Sequence, residues 1–245
     1  MLKISSTQNN LVKHIVKLRE DASYRNKYKL VVISGIKIIE ELALITKPIS
    51  LFITPESSAL SCAKHAQEIY EVTMPVLKKI TGLVNPEPAA ALFVLPRSVA
   101  LDTKKRILVT ECVADPGNLG TLMRSALAFG FEGIFLLGSG VEPFHEKVLR
   151  ASRGALFSLS YELGDWDRLQ ELVGNKPCFV ADIKGEAIKN IKPPKDFFLL
   201  LSNEAHGLSK KALNFGQKVC IPMQPAAESL NVSVAGAILM YCLTN

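Results

Sequence analysis

The sequence predicts two α/β units, the second built on a parallel β-sheet, and three observations carry that reading. From residue 106 onward short apolar strands alternate with helices, the pattern of a parallel sheet covered on both faces. A weaker alternation fills about the first 95 residues, near the lower part of the usual domain range. Between the two, Pro96 to Lys105 is polar enough to serve as a linker.

In the first unit a helical pattern runs through Leu11, Val12, Ile15, Val16 and Leu18, with Asn9 or Asn10 as its cap and basic residues on much of the other face. Lys29–Ser34 reads as a strand, Gly35 punctuates it, and Ile36–Ile45 repeats apolar residues at helical intervals. Leu51–Ile53 and Ala91–Leu95 read as further strands, with a short helix near Ser58 to Gln67. The second unit opens with a strand at Arg106–Thr110 and a helix from Asn118 to Phe129. Strands follow at Gly133–Leu137, Pro177–Ala181, Asp196–Leu201 and Lys218–Ile221. A last helix, from about Leu230 to Leu243, is apolar nearly all round and therefore belongs in the core or against a partner subunit.

Composition bounds the function. Of 245 residues 48% are hydrophobic and 21% charged, enough apolar material for a core. No apolar run approaches the roughly 20 residues that span a bilayer. The start, MLKISSTQNN, lacks the apolar stretch of a signal peptide, so a cytoplasmic protein without membrane association is expected. Five cysteines, at 62, 112, 178, 220 and 242, form no CxxC pair and sit among apolar residues, as reduced, buried thiols do. The four histidines show no ligand spacing, and no metal site is expected. The net charge of +6 is uneven: residues 1–105 carry 15 Lys/Arg against 9 Asp/Glu, and the remainder 14 against 14. That excess is either a solvated helix face or a surface for nucleic-acid phosphate.

Three polar islands interrupt the apolar second unit, each between a strand and a helix. In Asp115-Pro-Gly-Asn-Leu-Gly120, Asn118 either caps the following helix or orients a ligand at its N-terminus. Arg124 lies four residues after Gly120 on the same face. Helical side chains lean toward the N-terminus, which aims this charge at the loop above the strand end, where open α/β sheets bind ligands. The second island is Ser202–Ser209, in which Glu204 caps the next helix, neutralises Arg124, or joins a pocket. The third is Gln224–Asn231, with Ser229 or Asn231 able to cap the last helix. Three such sites in three strand-to-helix connections point to one shared pocket.

These residues resemble the SpoU, or TrmH-like, branch of the SPOUT RNA methyltransferases. The matching motifs are DPGNLGTLMRSALAFG at 115–130, LLLSNEAHGLS at 199–209 and IPMQPAAESLNVSVAGAILMY at 221–241. Val148–Ala155 is similar to a further family segment, so the resemblance covers essentially residues 106–245. The start, ISSTQNNLVKHIVKL followed by a strand and Gly35, resembles the family's ribosomal-protein-like RNA-binding domain less specifically.

The resemblance implies an RNA substrate-binding domain over 1–98 and a methyltransferase domain over 106–245 that contains a trefoil knot and forms a homodimer. It also implies methyl transfer from S-adenosyl-L-methionine to a ribose 2′-hydroxyl of structured RNA, ribosomal RNA ahead of transfer RNA. Asn118, Arg124, Glu204, Ser229 and Asn231 fall on the family's catalytic positions, and Ser202, Ile221 and Leu230 on its cofactor-contact positions. Ser202 departs from the glycine common there, which implies either a narrowed pocket or a backbone angle that glycine adopts more easily. RNA contacts are assigned to Lys13, Lys17 and Arg25 in the basic first unit, and to Arg150 and Arg153. Two other readings compete. One is a non-catalytic RNA-binding protein that keeps the fold. The other is a dinucleotide enzyme suggested by Gly138-Ser-Gly140, which fails because Pro143 stands where GxGxxG needs its third glycine.

Overall fold

The computed structural model describes residues 1–57, 61–203 and 207–245, which divide into two compact units. The first begins with strand β1 (Leu2–Ile4), helices α1 (Asn10–Glu20) and α2 (Ala22–Tyr28), strand β2 (Leu30–Ser34) and helix α3 (Ile36–Ala43). It continues with β3 (Ser50–Ile53), β4 (Glu68–Val72), α4 (Met74–Thr81) and β5 (Ala89–Val94). Of the two candidate caps it is Asn9 that starts α1, its side chain accepting from Leu11 N at 2.8 Å. The five strands run in the order β1-β4-β3-β5-β2, with β1, β4 and β3 parallel and β5 antiparallel to both neighbours. Val12, Ile15 and Leu18 of α1 meet Val76, Leu77 and Ile80 of α4 over Val32, Phe52 and Tyr70 of the sheet, which closes one face. Near residues 58–67 the expected helix is replaced by 3₁₀ turns at Pro55–Ser57 and Ser61–His65, and residues 58–60 lie outside those described.

The second unit starts at Arg97, so the stretch expected to be a linker is packed instead. Leu101 is fully buried in its core, and Asp102 pairs with Arg168 at 2.7 Å. The short apolar run Val99-Ala100-Leu101 between polar flanks is too weak a signal to reveal this. Strand β6 (Arg106–Glu111), helix α5 (Pro116–Ala128) and strand β7 (Gly133–Leu137) follow. The chain then returns to the first unit for residues 144–157, which contain helix α6 (Glu146–Ser152). By the family resemblance this segment is expected in the methyltransferase domain. It packs instead within the first unit: Phe157 meets Phe93 edge-on at 5.7 Å, Arg153 pairs with Glu41 at 3.1 Å, and Gly154 lies against Leu42.

Strand β8 (Ser160–Gly164), helix α7 (Trp166–Val173), strands β9 (Cys178–Ala187) and β10 (Phe197–Ser202), helix α8 (Lys210–Leu213), strand β11 (Gln217–Cys220) and helix α9 (Val232–Thr244) complete the second unit. All six of its strands are parallel, in the order β11-β9-β10-β6-β7-β8. The chain thus walks outward from β6 through β7 to β8, crosses to β9, and inserts β10 between β9 and β6. Alternation along the strands divides the core. Ile107, Val109, Phe135, Leu137, Val180, Phe198 and Leu200 share one cluster with Leu169 and Leu172 of α7, and the intervening residues face the other way. Helices α5 and α9 pack on that other face, where a Cβ at Gly236 would meet Leu122 Cδ2 at 2.4 Å and Leu201 Cδ1 at 2.6 Å. Only glycine lets α9 approach so closely.

All five cysteines are free. Cys62 and Cys178 are buried, Cys112 and Cys220 are half-buried, and Cys242 is exposed, contrary to the expectation that all would be buried. Burial pushes the Cys178 thiol up to about 12. Among the described residues no helix is long and apolar enough to cross a membrane.

Because residues 144–157 complete the first unit, a fragment of residues 1–96 is expected to unfold at lower urea concentration than that unit does in the full chain. Within the full chain, Leu149→Ala at a buried position should cost about 2–5 kcal/mol. Equilibrium denaturation measures both.

Candidate functional site

At the carboxyl ends of β9, β10 and β11 lies a cavity of about 220 Å³. Its walls are mainly apolar, from Leu201, Val219, Ile221, Leu230, Val232 and Leu239, with Ser202, Asn203, Asp182 and Ser229 supplying polar atoms. This is the position and make-up of a small-molecule site in an open parallel sheet.

Strand β10 carries five buried residues, Phe197 to Leu201, before Ser202 emerges beside Glu111 of β6. Ser202 keeps strand geometry and is not among the residues with positive φ, so its backbone does not require glycine, and the residue lines the cavity. Beyond it, the Asn203 amide donates to Cys112 O at 2.8 Å. Cys112 has φ 52°, in the left-handed region that residues other than glycine seldom occupy, and this bond anchors that turn at the end of β6. On the far side, the β9–β11 register jumps between Lys218 and Val219, from Val180 to Glu186. Residues 181–185 therefore bulge out and bring Ala181, Asp182 and Ile183 to the cavity, with Lys218 Nζ 3.4 Å from Asp182 Oδ2. A Cβ on Gly185 would lie 2.5 Å from Val219 N, so glycine is required where this bulge closes.

The first and third polar islands meet directly: the Asn231 amide donates to Asn118 Oδ1 at 3.0 Å. Asn231 is also the cap of α9, its Oδ1 accepting from Ser233 N at 2.9 Å and Val234 N at 3.3 Å. Its two amide atoms thus do separate jobs. Asn118, by contrast, does not cap α5. Asp115 does so, accepting from Asn118 N at 2.7 Å, with Pro116 in the first turn. The Asp-Pro pair carried that signal in the sequence. Arg124 is exposed on α5 and, among the described residues, makes no hydrogen bond or ion pair. Glu204 lies outside the described residues, and Ser209 caps α8, accepting from Ala212 N at 3.1 Å.

The structure therefore brings Ser202, Ile221, Leu230 and Ser229 to one cavity, and Asn118 to Asn231. Sequence reasoning missed Asp182 and Cys220 in the wall and Asn203 as an anchor. Asn203 stood inside a polar island and was recognisable there, whereas the bulge that presents Asp182 had no local signature beyond Gly185.

Among the basic residues assigned to RNA, Arg25 is corrected. It is 3% exposed, and its guanidinium turns inward to donate to Leu18 O at 2.8 Å and Arg19 O at 2.6 Å, closing the end of α1. Arg150 lies 3.8 Å from Glu146, and Arg153 is held by Glu41. Lys13 and Lys17 are exposed.

Residues 105–241 match the SpoU rRNA Methylase family, and residues 9–91 match the MRM3-like substrate binding domain. The chain is 29% identical, over 99% of both sequences, to the Bacillus subtilis 23S rRNA (guanosine(2553)-2′-O)-methyltransferase RlmP. Among solved structures it is similar to an AdoMet-bound rRNA methyltransferase from Sinorhizobium meliloti, with a TM-score of 0.86 and 25% identity, covering 98% of this chain and 96% of that one. It is also similar to an RNA 2′-O ribose methyltransferase, with a TM-score of 0.83 and 29% identity, covering 99% and 98%.

The two roles of Asn231 are separable. Asn231→Ala should lose about 1 kcal/mol of capping and the bond to Asn118 together, while Asn231→Asp keeps the cap and replaces the amide donor facing Asn118 with an acceptor. A thermal melt near wild type in Asn231→Asp, with a lowered melt in Asn231→Ala, is the expected result.

Proposed function

This chain belongs to the SpoU rRNA methylase family, and from that premise we propose that it transfers a methyl group from S-adenosyl-L-methionine to a ribose 2′-hydroxyl of ribosomal RNA. The observation that carries this reading is the cavity at the strand ends. Its wall unites Ser202, Ile221 and Leu230, the three positions that the family resemblance assigns to the donor. The cavity suits such a molecule, because apolar side chains can flank an adenosine while Asn203, Asp182 and main-chain groups near Ser202 and Ile221 meet its polar atoms. When bound, the donor supplies an electrophilic methyl group.

The protein's own task is alignment and charge. Holding the ribose oxygen in line with the methyl carbon can account for much of the acceleration. Asn118 and Asn231, locked together at 3.0 Å, form an edge between two connections, and Ser229 lines the cavity beside them; Glu204 is assigned to the same site by the family resemblance alone. Arg124 contacts the phosphate and ribose of the target nucleotide. A guanidinium keeps its proton at any working pH, so Arg124 does not act as the base. It stabilises the alkoxide as the hydroxyl proton leaves to phosphate or water. The first unit acts as the RNA-binding domain and the second as the methyltransferase domain, to which the family's trefoil knot belongs. Free thiols suit a cytoplasmic setting.

The outer face of the second unit supports reading the protein as a homodimer. Helix α9 contains no charged residue, and Val234, Ile238 and Tyr241 are exposed on it beside Leu127 of α5, with Phe129 and Tyr241 edge-on at 5.8 Å. So much clustered apolar surface is rarely left to water. We therefore read α5 and α9 as the contact between two copies.

Arg124→Ala should lower methyl incorporation into ribosomal RNA by about 10²-fold or more while calorimetric donor binding is retained, with Arg124→Lys intermediate. Full activity in Arg124→Ala would remove the arginine from the mechanism. Ile238→Asp is expected to shift sedimentation from dimer to monomer, and a monomeric wild type would defeat the dimer reading.

A further inference from the structure

We propose that the α1–α2 face of the first unit is a docking platform for an unpaired nucleotide of the RNA, its base stacking on Tyr28 and its neighbouring phosphates held by Lys13, Lys17, Lys27 and Lys79. The inference rests on the reading of this protein as an RNA methyltransferase. It adds residues and a substrate feature that the methyl-transfer site does not supply.

Three rings come together where α2 folds back on α1. His14 stands edge-on to Tyr24 with centroids 5.5 Å apart and to Tyr28 at 4.9 Å, while Tyr24 and Tyr28 lie 4.5 Å apart at 41°. A hydrogen bond of 2.9 Å joins His14 Nδ1 and the Tyr24 hydroxyl. Burial holds the His14 imidazole below its ordinary pKa, which favours the neutral ring in this cluster. Tyr24 and His14 are half-buried, but Tyr28 remains 44% exposed. Its ring is thus braced by two others and open to solvent, so little side-chain freedom remains to be lost when a base stacks on it.

Two lysines lie against the rings. Lys17 Nζ lies 4.6 Å from the Tyr24 centroid and Lys27 Nζ 5.7 Å from that of Tyr28. Lys13 and Lys17 also line an adjoining groove with Lys79, Thr7 and Gln8. The one carboxylate in that groove, Glu20, is paired with Arg19. Arg25, also at this corner, is turned inward to helix carbonyls. What faces outward is therefore an aromatic surface edged by lysines, the arrangement that holds single-stranded nucleic acid through base stacking and phosphate contacts. A duplex keeps its bases stacked on one another and can use only the lysines.

The test compares the full-length chain with its variants. The probes are a fluorescein-labelled single-stranded oligoribonucleotide of about twelve nucleotides and the blunt duplex of the same sequence. Tyr28→Ala should weaken single-strand binding roughly 10- to 100-fold and leave duplex binding within about twofold, and Tyr28→Trp should restore it. Lys13→Gln with Lys17→Gln should weaken both probes and flatten the log-log salt dependence by about 0.7 per lysine on the single strand. The far-UV circular dichroism spectrum and thermal melt should be unchanged in every variant, which shows the first unit intact, and donor binding by calorimetry should be unchanged in the second unit. Equal single-strand affinity in wild type and Tyr28→Ala overturns the platform. Ribosomal RNA methylation by the wild type is scored separately: its absence would defeat the functional reading, while methylation with unaltered Tyr28→Ala binding defeats only the platform.

Discussion

The site depends on two side-chain amides that tie together connections far apart in the chain. Asn231 reaches Asn118 across 113 residues, and Asn203 reaches the carbonyl of Cys112 across 91. Each amide is directional, so it sets position as well as distance. The parallel sheet beneath brings the ends of β6, β10 and β11 to one edge, but strand pairing alone leaves the loops beyond those ends undetermined. The amides remove that freedom, and the cavity between β9, β10 and β11 takes its shape from the result.

Small residues make this closeness achievable. Gly236 lets α9 settle against Leu122 and Leu201, and Gly185 lets the bulged β9 lie on the backbone of β11. Either contact would otherwise need backbone movement that dense packing resists. The same helix that seals the core inward carries apolar residues outward, where no charge interrupts them. One element thus serves burial, the wall of the cavity through Val232 and Leu239, and the surface offered to a second copy.

Charge in the first unit is sorted by what each cation can reach. Arginines at 19, 25 and 153 are engaged by carboxylates or helix carbonyls, and those at 25 and 153 help hold the unit together. The lysines at 13, 17 and 79 face a solvent groove instead. A planar guanidinium makes several fixed hydrogen bonds and suits the internal role, whereas a flexible, strongly hydrated ammonium remains outside.

Much of this was legible in the sequence. The period of the apolar residues revealed the main strands and helices of the parallel sheet, and the three polar islands pointed to one shared pocket, in which Ser202, Ser229 and Leu230 line a cavity and Asn231 bonds Asn118 while Arg124 makes no such contact among the described residues. Short or weakly patterned elements were not legible: β1, β4 and β8 lie in stretches of few or mixed apolar residues, and the affiliation of residues 144–157 with the first unit leaves no mark on their own composition. Nor did sequence distinguish Arg25, buried against α1, from Lys17, exposed on it, because both fall in the same basic run. Local patterns report what a residue does within three or four positions of itself. Which capping residue wins, which strand bulges and which cation turns inward depend on hydrogen bonds and packing between distant segments, and only the folded chain decides those.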